Sequence, residues 1–182
     1  MKTENNVLYV LRLALTLLAI TAVVAAALAG INSITKPVID QLTAEKTQAA
    51  IQAVLPGGGE EVDFTASTTI VSKVYKGENG YAVEVTPGGF DNTITMMVGV
   101  DAEGKVLGIS IISHTETAGL GAVAAAATPA GENFRSQFVG QSGSVSVTKD
   151  GGQMDAITGA TITSRAICDG VNAALECVAN FG

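Results

Sequence analysis

The sequence predicts an α+β protein: one N-terminal transmembrane helix, then one extracytoplasmic domain with an antiparallel sheet meander and flanking helices. Three observations carry this. Nineteen residues from Leu13 to Ile31 contain no charge. Four β-rich runs follow, separated by clusters of Gly, Asn and Asp too short to hold a crossover helix. Near the C-terminus, Ile167, Val171, Leu175 and Val178 recur at helical spacing.

The elements can be justified in order. At 1.5 Å per residue the Leu13–Ile31 run is about 28 Å long, close to the hydrocarbon thickness of a bilayer, so residues 13–31 are expected to span the lipid bilayer. The competing reading is a cleaved signal peptide, because Ala27-Leu28-Ala29 has the small-x-small form of a cleavage site. The apolar run exceeds the 7–15 residues usual for a signal core, which favours a retained anchor. Lys2, Arg12 and the terminal amine precede the span and only Lys36 follows closely. That bias predicts a cytoplasmic N-terminus (1–12) at the cell membrane and everything after Ile31 outside.

After Pro37, the apolar positions Val38, Leu42, Ala49, Ile51 and Val54 predict a helix connecting anchor and domain (32–56), which Pro56-Gly57-Gly58-Gly59 stops. The domain proper is expected over 57–182. Its strands are expected at Thr68–Tyr75, Tyr81–Thr86, Thr93–Val100 and Val106–Ile112, with turn-forming residues between them. Ser113 to Gly121 then leaves the fourth strand as a polar loop, a common place for function on a rigid scaffold. Gly131 to Phe138 is expected as one or two helical turns with Phe134 and Phe138 inward, and Ser144–Thr148 as a further short strand.

Composition excludes several function classes. The net charge is -7 with no basic cluster, and there is no Trp, which argues against nucleic acid as a partner and against charge-driven binding to anionic lipid. Cys168 and Cys177 are nine apart, two and a half helical turns, and so lie on opposite faces. With no CxxC or Cys/His spacing beside them they are expected as small core residues, and no metal site is expected.

The most informative stretch is Asp155-Ala156-Ile157-Thr158-Gly159-Ala160-Thr161-Ile162-Thr163-Ser164, which runs into the last helical pattern. Small residues at 158–160 let a backbone approach a ligand, and hydroxyls cluster where the N–H groups of a helix N-terminus would point. Two readings are compatible with that pattern. Thr158, Thr161, Thr163 and Ser164 could simply cap the helix, or the first turn could hold a phosphate. Arg165 likewise has two readings, a contact to such a phosphate or an i,i+4 pair with Asp169.

The run Asp155 to Thr161, D-A-I-T-G-A-T, resembles the flavinylation motif of the FMN-binding domain family, in which a Thr hydroxyl is esterified to the phosphate of FMN. His114-Thr115-Glu116-Thr117-Ala118-Gly119-Leu120-Gly121, the single N-terminal span and the pattern ending in Val54-Leu55-Pro56 resemble the G subunit of the Rnf electron-transport complex. Ala118 departs from the family, which more often has Pro there. The resemblance implies covalent FMN on Thr161, with Thr158, Gly159, Ala160, Thr163 and Ser164 around the phosphate. It implies a ring-side loop of His114, Thr115, Glu116, Thr117, Gly119, Leu120 and Gly121. Glu116 also has the readings of a solvated carboxylate and of an acceptor anchoring the loop through backbone N–H groups.

The implied function is an electron relay in a membrane-bound, ion-translocating ferredoxin:NAD+ oxidoreductase, a translocase component not catalytic alone. Its implied partners are the other membrane subunits and a flavin transferase. Alternatives are the C subunit of a Na+-pumping NADH:quinone reductase, the flavin domain of another extracytoplasmic reductase, or a non-redox membrane-anchored binding module.

Overall fold

The computed structural model describes residues 2–64 and 68–181, with side chains from residue 7 onward. Lys2 and the terminal amine, on which the charge bias partly rests, lie outside the described side chains. The chain divides into two units, Met1–Glu45 and Lys46–Gly182.

Helix α1 (Lys2–Val54) runs without interruption through both predicted N-terminal helices and contains Pro37. A proline interior to a helix removes one backbone hydrogen bond and crowds the carbonyl four residues back. Here the helix nevertheless continues past it, between flanks that include the β-branched Ile34, Thr35, Val38 and Ile39. From Val7 the helix is long and apolar enough to cross a membrane, alone in this among the described residues. Its side chains in the first unit, Leu13, Leu17, Ile20, Val24, Leu28 and Ile31 among them, are exposed, as a lipid-facing helix requires.

In the second unit five antiparallel strands lie in sequence order: β1 (Glu60–Val62), β2 (Val71–Gly77), β3 (Gly80–Val85), β4 (Thr95–Asp101) and β5 (Val106–Ser113). The expected meander is therefore present, and β1 is added to it. One cross-strand row, Val74↔Val83↔Val98↔Ile109, is buried on the face that meets helix α3 (Thr161–Ala179). Ile167, Val171, Leu175 and Val178 of α3 all lie in that core.

The opposite row reads Tyr75↔Ala82↔Gly99↔Gly108. The last turns of α1 pack on this side, with Ile51, Val54 and Leu55 against Tyr75, Ala82 and Met97. Gly99 makes the approach possible, since a Cβ there would stand 2.9 Å from Val54 Cβ. Covered on both faces, β4 is buried from Met96 to Val100.

Helix α2 (Pro129–Ser136) opens with Thr128 as N-cap and Pro129 in its first turn, a common N-terminal signature. Phe134 and Phe138 are buried edge to face at 5.5 Å, as expected. The strand expected at Ser144–Thr148 is not formed. Val147 makes one isolated bridge to Met154 and the chain enters a 3-10 turn, Thr148–Asp150, before reversing through Gly151 in a left-handed conformation. Val145 is instead pinned to α3, where Asn172 accepts its N–H at 2.7 Å and donates to its carbonyl at 2.9 Å.

Candidate functional site

The T-G-A-T segment forms a tight turn feeding directly into α3. Ala160 N–H donates to Ile157 O at 2.9 Å, and Gly159 has φ 77°, the left-handed value that a type II turn demands of its third residue. Beneath the turn, Ser164 is fully buried: its hydroxyl accepts the Ile157 N–H at 3.0 Å and donates to Ala160 O at 2.9 Å.

The N-cap of α3 is Ala160, and no side chain caps the helix. Three of the hydroxyls, those of Thr161, Thr163 and Ser164, have other partners. Thr163 donates to the Glu116 carboxylate. Thr161 Oγ1 accepts from Lys149 Nζ at 3.0 Å. The capping reading of the hydroxyls is not borne out, since no side chain caps α3.

Arg165 does not pair with Asp169. It makes a two-point ion pair with Asp150, with Nε and Nη2 each 2.6 Å from a carboxylate oxygen. The Thr148–Asp150 turn brings that carboxylate to the helix, a tertiary approach that intrahelical spacing does not reveal. The pair fixes the turn carrying Lys149, and the hydrogen bond from Arg165 holds the Asp150 carboxyl below the usual range.

A cleft of about 230 Å³ opens beside Thr161. The loop 114–121 supplies Glu116, Thr117, Leu120 and Gly121 to it, and the start of α3 supplies Gly159, Ala160, Thr161 and Thr163. Eight of the sequence-derived candidates therefore share one wall system. Thr158 and Gly119 line a larger neighbouring cleft of about 590 Å³, with Asp155 and Gln137. His114, half-buried, has its Nδ1 buried with no hydrogen-bond partner among the described residues, and Thr115 is exposed.

Glu116 is an anchor. It is 7 % exposed, and its carboxylate accepts the Phe90 N–H at 2.8 Å as well as the Thr163 hydroxyl. A Cβ on Gly89 or Gly121 would strike that carboxylate, so the two glycines make room for it. Sequence reasoning missed Phe90, Ile162 and Lys149. An apolar aromatic at the tip of the turn-forming run Gly88-Gly89-Phe90-Asp91-Asn92 was a legible signal for the first, whereas nothing local marks Lys149.

Comparison with known proteins decides the family. Residues 89–176, which begin at that hairpin tip and end in α3, match the FMN-binding domain. The chain is 34 % identical over 178 residues to the G subunit of the ion-translocating oxidoreductase complex of Methanosarcina acetivorans, covering 90 % of this chain and 91 % of that one. The chain belongs to the family of Rnf G subunits. To the G subunit of the Na+-translocating ferredoxin:NAD+ oxidoreductase complex of Acetobacterium woodii it is 33 % identical over 198 residues, 94 % of this chain and 93 % of the relative. The counterpart from the proton-translocating complex of Clostridium ljungdahlii is 40 % identical over 105 residues, 56 % of this chain and 54 % of the relative.

The residues at the cleft suit an FMN phosphate. A primary ammonium stands at hydrogen-bond distance from the Thr161 hydroxyl, and the adjacent helix terminus lacks a side-chain cap. Cys168 and Cys177 are buried, free thiols in the core, and burial pushes the Cys168 thiol up to about 11. Among the described residues no group of His, Cys, Asp and Glu is arranged to hold a metal ion.

Proposed function

We propose that this chain is an electron-relay subunit of an Rnf-type ferredoxin:NAD+ oxidoreductase, anchored by α1 and carrying FMN esterified to Thr161 Oγ1. The observation that carries the reading is the contact between Lys149 Nζ and Thr161 Oγ1 at the uncapped start of α3. Attachment forms a phosphorus–oxygen bond to Thr161 Oγ1, with loss of the hydroxyl proton, while the bond from phosphorus to the leaving group of an activated flavin nucleotide breaks. A flavin transferase supplies the catalytic groups for that exchange.

This chain's own residues prepare the acceptor. Lys149 stabilises negative charge at the oxygen, and the α3 dipole and its open N–H groups favour a phosphodiester there. The turn at Gly159, whose φ is 77°, brings the small residues Gly159 and Ala160 to the cleft wall beside Thr161. Thr158 and the Asp155 backbone, which Gln137 binds at 2.7 and 3.3 Å, form the outer surface of the attachment segment. Bound FMN supplies one-electron transfer, and the protein supplies position and access. Membrane-embedded subunits of the complex are the electron partners. The charge bias around the span favours an N-terminus in the cytoplasm and a flavin domain outside, where a covalent link prevents loss of the cofactor by dilution.

The test is denaturing electrophoresis of the full chain co-produced with a flavin transferase, viewed under ultraviolet light beside Thr161→Val. A fluorescent band in the wild type, lost in the variant, is expected. A dark wild-type band, with the transferase active on a control acceptor, refutes the relay reading and favours a non-redox binding module.

A further inference from the structure

Of the five phenylalanines, four pack in or against the main core: Phe64, Phe134, Phe138 and Phe181. Phe90 joins neither hydrophobic cluster and is 65 % exposed. A single exposed apolar side chain needs no explanation. Phe90, however, lines the same cleft as Leu120 and Ile162, which are 42 % and 49 % exposed, so three large apolar groups ring one opening beside Thr161. Grouped exposure of this kind marks a ligand or partner site.

The hairpin tip carrying Phe90 is also held in place. Gly89 N–H donates to Asn92 O at 2.7 Å, Gly88 bridges Thr93, and the Phe90 N–H is bound by Glu116. The other oxygen of the same carboxylate takes the hydroxyl of Thr163, two residues beyond Thr161. One buried side chain thus ties the aromatic tip, the 114–121 loop and the first turn of α3 to each other. A loop fixed this firmly keeps its aromatic ring over the cleft, where a flat aromatic ligand gains from offset or edge-on contact.

We propose that Phe90 is a wall of the subsite for the flavin ring, and that Glu116 is the positioning residue that holds it there. This rests on FMN being carried by Thr161. Phe90 excludes water from one side of the ring, and Glu116 sets its distance from the attachment point.

A tryptophan tests the contact, because an indole touching an excited flavin passes it an electron and quenches its fluorescence. The full chain is co-produced with a flavin transferase as wild type, Phe90→Trp and Val139→Trp, the last an exposed position outside the cleft lining. Fluorescence after denaturation reports attached flavin; the native fluorescence lifetime reports contact. The expected result is equal denatured fluorescence in all three, with a several-fold shorter native lifetime in Phe90→Trp alone.

An unchanged lifetime in a flavin-loaded Phe90→Trp overturns the proposal while leaving the attachment intact, and is what an exposed Phe90 reserved for a protein partner would give. Equal shortening in Val139→Trp overturns it as well. A dark denatured wild type removes the flavin reading and this inference together. Glu116→Gln, which keeps an acceptor, and Glu116→Ala are then added to Phe90→Trp. Lengthening of the lifetime is expected for Ala, with Gln closer to the parent, and no change in loaded Glu116→Ala refutes the positioning role.

Discussion

Ser164 offers a direct measure of how far the attachment turn depends on one buried hydroxyl. Ser164→Ala removes the acceptor of the Ile157 N–H and the second donor to Ala160 O. The carbonyl keeps the Ser164 N–H at 3.0 Å, so the loss falls on the part-buried Ile157 N–H. An unsatisfied buried donor costs about 1–3 kcal/mol. A unit the size of Lys46–Gly182 loses roughly 3–4 °C of Tm per kcal/mol, between the values for smaller and larger domains. The expected fall is therefore about 3–12 °C. The assay is thermal unfolding of the full chain in detergent, followed by circular dichroism, with the rate of flavin attachment measured in parallel at a temperature where both proteins are folded. Attachment should slow, because residues 158–160 are no longer stapled to α3. An unchanged Tm with an unchanged attachment rate would show that the turn is held by its glycine geometry alone, and the reasoning from Ser164 would be wrong.

Lys149→Ala should slow flavin attachment about 2–5-fold at low salt, as expected for an exposed charge contact of up to about 1 kcal/mol, and the difference should shrink at molar salt. Time courses of in-gel fluorescence check it. Glu84 is half-buried on β3, and desolvation, only partly offset by Lys73, raises its carboxyl above the usual value of 4.5. Its charged form is thus disfavoured in the fold, a cost absent below the unfolded pKa and complete once pH exceeds the folded one. Glu84→Gln should therefore raise Tm at pH 7 and leave it unchanged near pH 4, which melts across pH will show. Cys168, with its thiol pushed up to about 11 chiefly by burial, should resist alkylation at pH 8 in the native chain and become reactive together with Cys177 on unfolding, read by mass spectrometry.

What the sequence made legible has local causes. The span at 13–31 is readable because it is uninterrupted, the meander because Gly, Asn and Asp crowd its turns, and α3 because Ile167, Val171, Leu175 and Val178 keep helical time. The continuity of α1 through Pro37 was not legible, since a proline beside the β-branched Thr35, Val38 and Ile39 reads as a helix boundary, whereas the fold absorbs its one missing hydrogen bond. β1 has three residues and no alternation to read. The candidate site divides in the same way. Loop 114–121 and the T-G-A-T turn are contiguous motifs, whereas the Phe90–Glu116 and Glu116–Thr163 contacts span 26 and 47 residues and the Lys149–Thr161 contact spans 12. Pairings at such separations depend on how strands and loops converge, which a pattern along the chain does not encode.

A buried carboxylate beside the proposed phosphate site looks contradictory until its hydrogen bonds are counted. Both Glu116 oxygens are engaged, by Phe90 N–H and by the Thr163 hydroxyl. The positive charge is elsewhere, on Lys149, which reaches Thr161 Oγ1 from outside the cleft lining, and at the start of α3. The surroundings are therefore polarised: Thr161, with Lys149 hydrogen-bonded to it, on one side, and an apolar rim of Phe90, Leu120 and Ile162 on the other. Inorganic phosphate would satisfy the first and leave the second in water. A molecule with a phosphate at one end and a flat apolar body at the other satisfies both, which is why the arrangement favours a flavin nucleotide over a simple anion and over an apolar ligand alone.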